Sequence, residues 1–317
     1  TKPESKLRSV VCYRLPPYDE VKYRSPEAFR PALLHRLKQE SKAQGVPLLK
    51  IQMRFLFERF LLRAQVVFPQ VTVKGGAAME FRLPLARMTR DLDLSIIRSA
   101  SNQLLPRLQS AAQADFGDFI SFVIEEDPDH AILEADGMKY QGRRLRAQAQ
   151  LADKPLFGFF GLDLAVGEPA NPPETMTVNP LLASAGFAPL ELSLYALESH
   201  IAEKLHAYTL PRPYPNSRVK DLPDLALLAT YGPIERQQLR LALETTFQHR
   251  STHALPDHVM EAPPEWSIPY SKMALENSLP WPDIPSLTTS VKGFLDPILG
   301  STESRPTLWD PQAWSWT

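Results

Sequence analysis

Two aspartates stand one residue apart in the run DLDLSI, residues 91–96, whose other large side chains are apolar. In an extended strand alternate side chains point to the same side, so Asp91 and Asp93 share one face, about 7 Å apart. Like charges at that distance repel each other unless a cation lies between them, and aspartate oxygens suit Mg²⁺ bound to substrate phosphates. The pattern indicates a metal site. The alternative interpretation is a solvated strand face.

Two glycines precede this strand. Residues 71–74 predict a short strand that runs into Gly75 and Gly76, and residues 77–83 predict a short helix. Glycine lets the backbone approach a ligand closely, and the amide N–H groups at a helix N-terminus can bind phosphate. A Gly-Gly pair is also typical of an ordinary tight turn. The order of strand, Gly-Gly, helix and D-x-D strand favours an anion-binding loop beside a metal site.

This segment resembles the start of polymerase-beta-type nucleotidyltransferases. It resembles one branch of these enzymes closely. Its residues are similar to the K-G-G-T-A-L to R-x-[ST]-x-D-L-D signature of the AbiEii/AbiGii toxin family, which includes the MenT toxins. Ala77 stands where that family usually has threonine. The residues that match, besides the two aspartates, are Lys74, Gly75, Gly76, Arg87, Thr89 and Arg90.

A second stretch, IAEKLHA at residues 201–207, resembles the other AbiEii motif when it is taken with Arg218, Lys220, Asp221 and Asp224. The resemblance implies that Lys204 neutralises the triphosphate of an incoming nucleotide, and that Asp221 and Asp224 belong to the nucleotide-binding set. A structural explanation is also open. Asp221 could be a helix N-cap, with Asp224 as an acidic residue of the first turn.

A third carboxylate, Asp163, lies alone in the apolar run LFGFFGLDLAV, residues 156–166. An unpaired buried charge is unfavourable by several kcal/mol, so Asp163 either reaches the surface or has a cationic partner. The family resemblance implies a third acid on a strand beside the D-x-D strand. Asp163 is our candidate for this acid. It would bind the catalytic metal and help to deprotonate the acceptor, while Asp91 and Asp93 hold both ions.

The resemblance implies an α+β, two-lobed enzyme. The N-terminal nucleotidyltransferase lobe, residues 1–185, would contain leading helices and a mixed sheet, and the C-terminal lobe, residues 186–317, would be mainly helical. The enzyme would use two Mg²⁺ ions to transfer a nucleoside monophosphate from an NTP to RNA, with the tRNA 3′ acceptor end as the expected target and a cognate antitoxin as partner. Transfer to protein hydroxyls or a small molecule, and a catalytically silent RNA- or antitoxin-binding module, are the alternatives.

Several elements must position these residues. Hydrophobic periodicity predicts helices at residues 25–44, 47–66 and 102–116, and strands at 119–125 and 142–151. From residue 189 a single helical stripe is expected, with His200 and His206 exposed beside it. The Trp-rich end is expected to dock onto the body of the protein. The stripe consists of Leu190, Leu194, Leu197, Ile201, Leu205 and Tyr208.

The net charge of the 317-residue chain is -1, but the charge is unevenly distributed. Residues 1–90 contain 18 Lys and Arg against 7 Asp and Glu, an excess that hints at nucleic-acid contact or at solvated helix faces. The single cysteine, Cys12, excludes an intramolecular disulfide. The sequence shows neither a leader peptide nor a long apolar run, so a cytoplasmic enzyme is expected.

Overall fold

A computed structural model describes residues 23–83, 86–96, 103–128, 132–133, 142–167, 171–212, 218–300 and 306–317. Two positions used in the predictions, Cys12 and Asn102, the first residue of the predicted helix 102–116, lie outside them. The α-helices of the described residues are α1 (Pro26–Gln44), α2 (Leu48–Val67), α3 (Gly75–Arg82), α4 (Leu104–Ala112), α5 (Leu197–Thr209), α6 (Asp221–Ala229), α7 (Arg236–Arg250), α8 (Ser267–Asn277) and α9 (Ile284–Leu299).

Most of the strands join one large mixed sheet, in the order β3-β5-β6-β2-β1-β8-β7, with β4 paired to β5. A second, three-stranded sheet has the order β11-β10-β9. The strands are β1 (Thr72–Lys74), β2 (Asp91–Ile96), β3 (Ile120–Glu126), β4 (Ile132–Leu133), β5 (Gly142–Leu151), β6 (Lys154–Val166), β7 (Glu174–Val178), β8 (Leu190–Leu194), β9 (Ile234–Glu235), β10 (Leu308–Asp310) and β11 (Ser315–Trp316).

The predicted elements before residue 167 are largely confirmed. Helix α1 begins after Ser25, whose hydroxyl accepts a hydrogen bond from the Ala28 amide, and it ends at Gly45 in the left-handed conformation with φ 66°. Helix α4 is shorter than predicted, whereas β5 has the predicted bounds. These elements and the mixed sheet confirm the α+β fold class, and the lobe boundary at residues 185 and 186 stays a prediction.

The predicted helical stripe from residue 189 is wrong at its start. Residues Leu190–Leu194 form strand β8, which pairs in parallel with β1, and the helix begins only at Leu197. The segment LELSL alternates apolar and polar residues with the period of a strand, and its inward leucines also happen to be four residues apart. The two periods therefore coincide over this short run.

Two hydrophobic cores support the fold. The sheet core contains α1, α2, α4 and the inner face of the large sheet, and the helical core contains residues of α3 and α5 to α9. In the sheet core, Phe57 and Phe60 pack edge-on against Phe160, at centroid distances of 5.4 and 5.6 Å. None of the helices in the described ranges is long and apolar enough to cross a membrane.

The Trp-rich end docks as predicted. Trp309 is fully buried in the helical core, and its indole N–H donates to the Ala229 carbonyl at 2.8 Å. Trp316 stacks on Phe294 with an interplanar angle of 1°, and its indole donates to the carbonyl of that residue. The chain end therefore completes the helical core.

Some of the basic residues near the start of the chain are buried. Arg63 of α2 is buried, and its guanidinium donates to both carboxylate oxygens of Asp118, at 2.6 and 3.1 Å. Arg59 lies over the Phe187 ring at 4.3 Å. These cations join α2 to the segments that lead into β3 and β8.

Replacing Asp118 by alanine is expected to lower the free energy of unfolding by about 3–5 kcal/mol, because Arg63 would keep a buried charge without its carboxylate. Glu126→Ala removes an exposed ion pair with Arg143 and is the matched control, with an expected change below about 1 kcal/mol. Chemical denaturation measures both. Equal, small effects of the two substitutions would contradict this account of the sheet core.

Candidate active site

The predicted site residues from both halves of the sequence line one cavity, of about 870 Å³. This volume lies within the range of small-molecule sites. The charged and histidine residues that line it are Lys74, Arg87, Arg90, Asp91, Asp93, Arg144, Asp163, His200, Glu203, Lys204, His206, Arg212, Arg218, Lys220, Asp221 and Arg250. Gly75 and Gly76 also line it, whereas Asp224 lies buried behind Lys204.

The three candidate acids share one face of adjoining strands. Strands β2 and β6 are parallel, and the register pairs Asp93 with Asp163 and Asp91 with Gly161. Register partners on neighbouring strands lie about 5 Å apart, with side chains on the same side of the sheet. The structure thus brings Asp163 beside the D-x-D pair, although 70 residues separate Asp93 from Asp163 in the sequence.

Two glycines make room for these acids. A Cβ atom at Gly75 would lie 2.0 Å from Asp93 Oδ2, and one at Gly161 would lie 2.3 Å from Asp91 Oδ1. Gly75 also has a φ of +55°, which side-chain-bearing residues rarely adopt. Any larger residue at Gly75 would displace the Asp93 carboxylate, so the glycine serves the acid as well as the loop.

Gly75 and Gly76 are the first two residues of α3, with Lys74 at its N-cap. The first amide N–H groups of a helix have no partner within the helix, and they carry a partial positive charge. The predicted order of strand, glycines, helix and acidic strand is therefore what the structure shows. It gives the cavity both anion-binding amides and carboxylates.

The charge of Asp93 is unfavourable in this setting. Burial raises the pKa of Asp93 to about 6, and the neighbouring carboxylates of Asp163 and Asp91 add to the shift, against attraction by Lys204 and Lys74. Oxygen donors that repel one another in this way are what a hard divalent cation requires. The donor set of Asp91 and Asp93 therefore fits the metal that the sequence predicts.

Asp163 already has a cationic partner. Arg144 of β5 lies opposite it in the register, and its guanidinium donates to the two carboxylate oxygens at 2.8 and 2.6 Å. The prediction that Asp163 either reaches the surface or meets a cation is confirmed by this pair. Across the part of the chain that the structure describes, no group of three acidic, histidine or cysteine side chains is arranged to hold an ion. Each Asp163 oxygen accepts one of these hydrogen bonds and keeps another lone pair, so the carboxylate could contact Arg144 and a metal ion together.

The second motif forms a buried charge network. Lys204 Nζ donates to Asp221 Oδ1 at 3.0 Å and to Asp224 Oδ2 at 2.7 Å. Arg87, which precedes the D-x-D strand, donates to both oxygens of Asp224 at 3.0 and 2.9 Å. Burial opposes ionisation of Asp224, but Lys204 and Arg87 outweigh it and hold its pKa well below the usual range. The network ties α5 and α6 to the loop before β2.

Asp221 is not the helix N-cap that the sequence allows. Lys220 holds that position without a side-chain cap, and Asp221 is the first residue of α6. Its carboxylate instead binds Lys204 and Arg218, the latter at 2.6 Å. Asp224 does lie in the first turn, as predicted. Both acids contact the lysine, so they position it at the cavity wall.

Sequence reasoning missed a second network, centred on Glu203. Its Oε1 accepts hydrogen bonds from Lys74 at 3.3 Å, from Arg250 at 3.0 Å and from the Tyr195 hydroxyl at 3.1 Å. Burial opposes ionisation of Glu203, but Lys74 and Arg250 outweigh it and lower its pKa to about 2. Glu203 stands beside Lys204 in the quoted motif, whereas nothing local in the sequence points to Arg250.

The prediction that His200 and His206 are exposed is wrong. Both are buried, at 2% and 5% exposure, because α5 packs against α6 and α7 as well as lining the cavity. Burial and the nearby Lys204 and Arg82 charges lower the pKa of His200 to about 3, so its imidazole is neutral at pH 7. Burial and His253 lower the pKa of His206 to about 4.

Comparisons with known proteins agree with this geometry. A family model described as "Nucleotidyl transferase AbiEii toxin, Type IV TA system" matches residues 59–302, more than half of the chain. The chain belongs to the AbiEii family. It is therefore a nucleotidyltransferase toxin, and a type IV toxin–antitoxin system implies an antitoxin partner and a nucleotide substrate. A search of curated proteins finds no match.

One solved structure supports the fold of the chain. The chain is similar to MenT4, a nucleotidyltransferase toxin from Mycobacterium tuberculosis, with a TM-score of 0.54 and 15% identity, covering 88% of this chain and 93% of that one. Another match is JHP933 from Helicobacter pylori, with a TM-score of 0.41 and 16% identity, covering 80% and 95%. The match to MenT4 supports the predicted nucleotidyltransferase fold.

Replacing Asp93 by asparagine is expected to stabilise the metal-free protein at pH 8 by about 1–3 kcal/mol. The pKa of Asp93 in the folded protein, about 6, exceeds the ordinary 3.8. Below about pH 4 the carboxyl group is protonated, and the buried charge does not lower the free energy of unfolding. As the pH rises through about 6, Asp93 ionises in the folded protein and the free energy of unfolding falls. Asparagine mimics the protonated acid and avoids that loss. Chemical denaturation at pH 4 to 8, in the presence of a chelator, measures the difference in the free energy of unfolding between wild type and Asp93→Asn. Asp257→Asn, at an exposed position, is the control.

The difference in the free energy of unfolding between wild type and the Asp93→Asn variant should become smaller towards pH 4. An asparagine variant that is less stable than wild type at pH 8 would show that Asp93 is not strained by its neighbours.

Proposed function

We propose that this AbiEii toxin transfers a nucleoside monophosphate from an NTP to RNA in an Mg²⁺-dependent reaction, with the tRNA 3′ acceptor end as its target. The observation that carries the proposal is the pairing of Asp93 with Asp163 inside a cavity whose other walls are basic. Among the described residues the lining has nine Lys and Arg against five Asp and Glu. That excess suits a polyanionic substrate such as a triphosphate with an RNA end.

Asp91 and Asp93 would hold the metal ions, with Asp163 as the third carboxylate of a two-ion site. When bound there, Mg²⁺ would neutralise charge that develops on the transferred phosphoryl group and on the leaving pyrophosphate. The rest of the nucleotide site is supplied by the protein itself. The first amides of α3, at Gly75 and Gly76, would donate to phosphate oxygens.

Lys204 would place a compact positive charge beside the triphosphate. Two of its three donors are held by Asp221 and Asp224, so its side chain is fixed in place before the nucleotide arrives. Lys74 and Arg90 would contact phosphates as well, since both line the cavity. Lys74 is itself held by Glu203.

The reaction forms a bond between the acceptor hydroxyl oxygen and the α-phosphorus of the NTP. The bond from that phosphorus to its bridging oxygen breaks, and pyrophosphate leaves. Asp163 is the candidate base, and a carboxylate oxygen of Asp163 would take the hydroxyl proton. Arg144 donates one hydrogen bond to each oxygen of that carboxylate, and a second lone pair on either oxygen is left to accept the proton. Because tRNA is a cytoplasmic molecule, the proposal also places the toxin in the cytoplasm.

The test is transfer of label from each α-labelled NTP to total tRNA in the presence of Mg²⁺. Wild-type protein is expected to label RNA with at least one NTP, and chelation of the metal is expected to abolish the signal. Asp93→Ala and Lys204→Met should reduce the rate by about 100-fold or more, because each removes charge from the site of transfer.

Asp257→Ala, which removes an exposed carboxylate that does not line the cavity, is the matched control and should label RNA like wild type. Absence of RNA labelling with all four NTPs would defeat the RNA proposal. Labelling of added protein or of a small hydroxyl compound in the same reactions would identify another acceptor.

A further inference from the structure

The strand that carries Asp163 continues away from the cavity as an exposed surface. Phe160, Leu162 and Leu164 of β6 are buried in the sheet core, so the alternate residues Phe159, Gly161 and Asp163 face the other way. The neighbouring strands turn polar side chains to the same side. We call this surface the open sheet face. It consists of Val123, Glu125, Arg146, Gln148, Gln150 and Phe159.

An exposed aromatic ring dominates this face. The Phe159 side chain lies on a sheet that has a well-filled core beneath it, yet the residue is 45% exposed. The Arg146 guanidinium lies over the Phe159 ring, 4.8 Å from its centroid. Nucleic-acid bases stack on aromatic rings and on guanidinium planes, at about 1–3 kcal/mol per base for an aromatic ring.

A β-bulge presents the ring. Ala147 pairs with Phe160 and Ala149 with Leu156, so the segment 157–159 of β6 lies opposite Gln148 alone. Within this bulge Phe157 has a φ of +65°, a strained conformation for a bulky residue. Bulges of this kind re-aim side chains and are frequent beside active sites. The local strain therefore occurs on the strand of the candidate base, six residues before it.

The charge of the open sheet face indicates which part of a nucleic acid this surface can bind. Arg146 donates to Glu125 at 2.7 Å, so the cation beside the ring is balanced by an acid. A balanced surface attracts a phosphate backbone weakly, and it suits bases better than phosphates. Bases are available for stacking only in an unpaired strand, because those of a duplex are already stacked on one another.

The distance from Phe159 to Asp163 determines which nucleotide of a bound RNA would contact Phe159. Phe159 and Asp163 are four residues apart in β6, which corresponds to about 13 Å. A stacked strand rises about 3.4 Å per nucleotide, so about four nucleotides span this distance. With an acceptor hydroxyl at Asp163, the base at Phe159 belongs to the unpaired nucleotides just upstream.

We propose that the open sheet face binds the unpaired nucleotides next to the acceptor 3′ end, with Phe159 and Arg146 stacking against a base. The inference rests on RNA as the acceptor, and it adds a requirement for a single-stranded end. An RNA whose 3′ end is fully paired would leave the face unused. Such an RNA would be a poor acceptor for this toxin.

The experiment compares wild type with Phe159→Ala, Phe159→Trp and the matched control Ile268→Ala, which removes an exposed apolar side chain from α8. Binding of a fluorescent eight-nucleotide RNA is measured by anisotropy, and transfer is measured with an RNA that has an unpaired 3′ end. Phe159→Ala is expected to weaken binding and to raise the KM for RNA about tenfold, with kcat and the KM for NTP unchanged. Phe159→Trp and Ile268→Ala should behave like wild type.

The two proposals fail in different ways. Wild-type protein that labels no RNA would defeat the proposed function, and the binding assay would still decide the role of Phe159. Equal RNA affinity of wild type and Phe159→Ala would overturn the inference, as would a blunt-ended duplex that is labelled as well as the RNA with an unpaired end. Thermal unfolding of each variant verifies that the substituted proteins are folded.

Discussion

The parallel pairing of β2 with β6 is the constraint on which the candidate site depends. It makes Asp93 and Asp163 register partners, so their like charges cannot separate while the sheet is intact. Burial and this repulsion raise the pKa of Asp93 to about 6. Arg144 compensates Asp163 from the neighbouring strand, and Gly75 and Gly161 leave space for the other two carboxylates. The remaining negative charge can be neutralised by a bound cation.

The helical core brings the opposite charge to the same cavity. Arg87 and Asp224 are 137 residues apart, yet their bidentate pair joins the segment before β2 to α6. Lys204 is fixed by the same Asp224 and by Asp221. Because breaking a buried pair leaves an uncompensated charge, this network holds the two halves of the cavity in place as well as supplying a cation.

Local patterns allowed much of the site to be predicted. The alternation of residues 91–96, the glycines before them and a lone acid in an apolar strand each carry their own signal. The fold brings these residues together, and their catalytic roles stay predictions. The ambiguous leucine spacing before α5 misplaced the helix start, because four residues fit both a helical turn and two strand repeats. The roles of Arg144, Arg250 and the buried histidines arise only from contacts between distant segments, which periodicity cannot reveal.

Direct binding of Mn²⁺, measured by electron paramagnetic resonance, tests the central claim that the strained acids form a divalent-cation site. Wild-type protein is expected to bind the ion, and Asp91→Asn/Asp93→Asn is expected to lose that binding while remaining folded. Equal Mn²⁺ affinity in the two proteins would contradict the claim that the paired strands β2 and β6 gather these carboxylates around a metal.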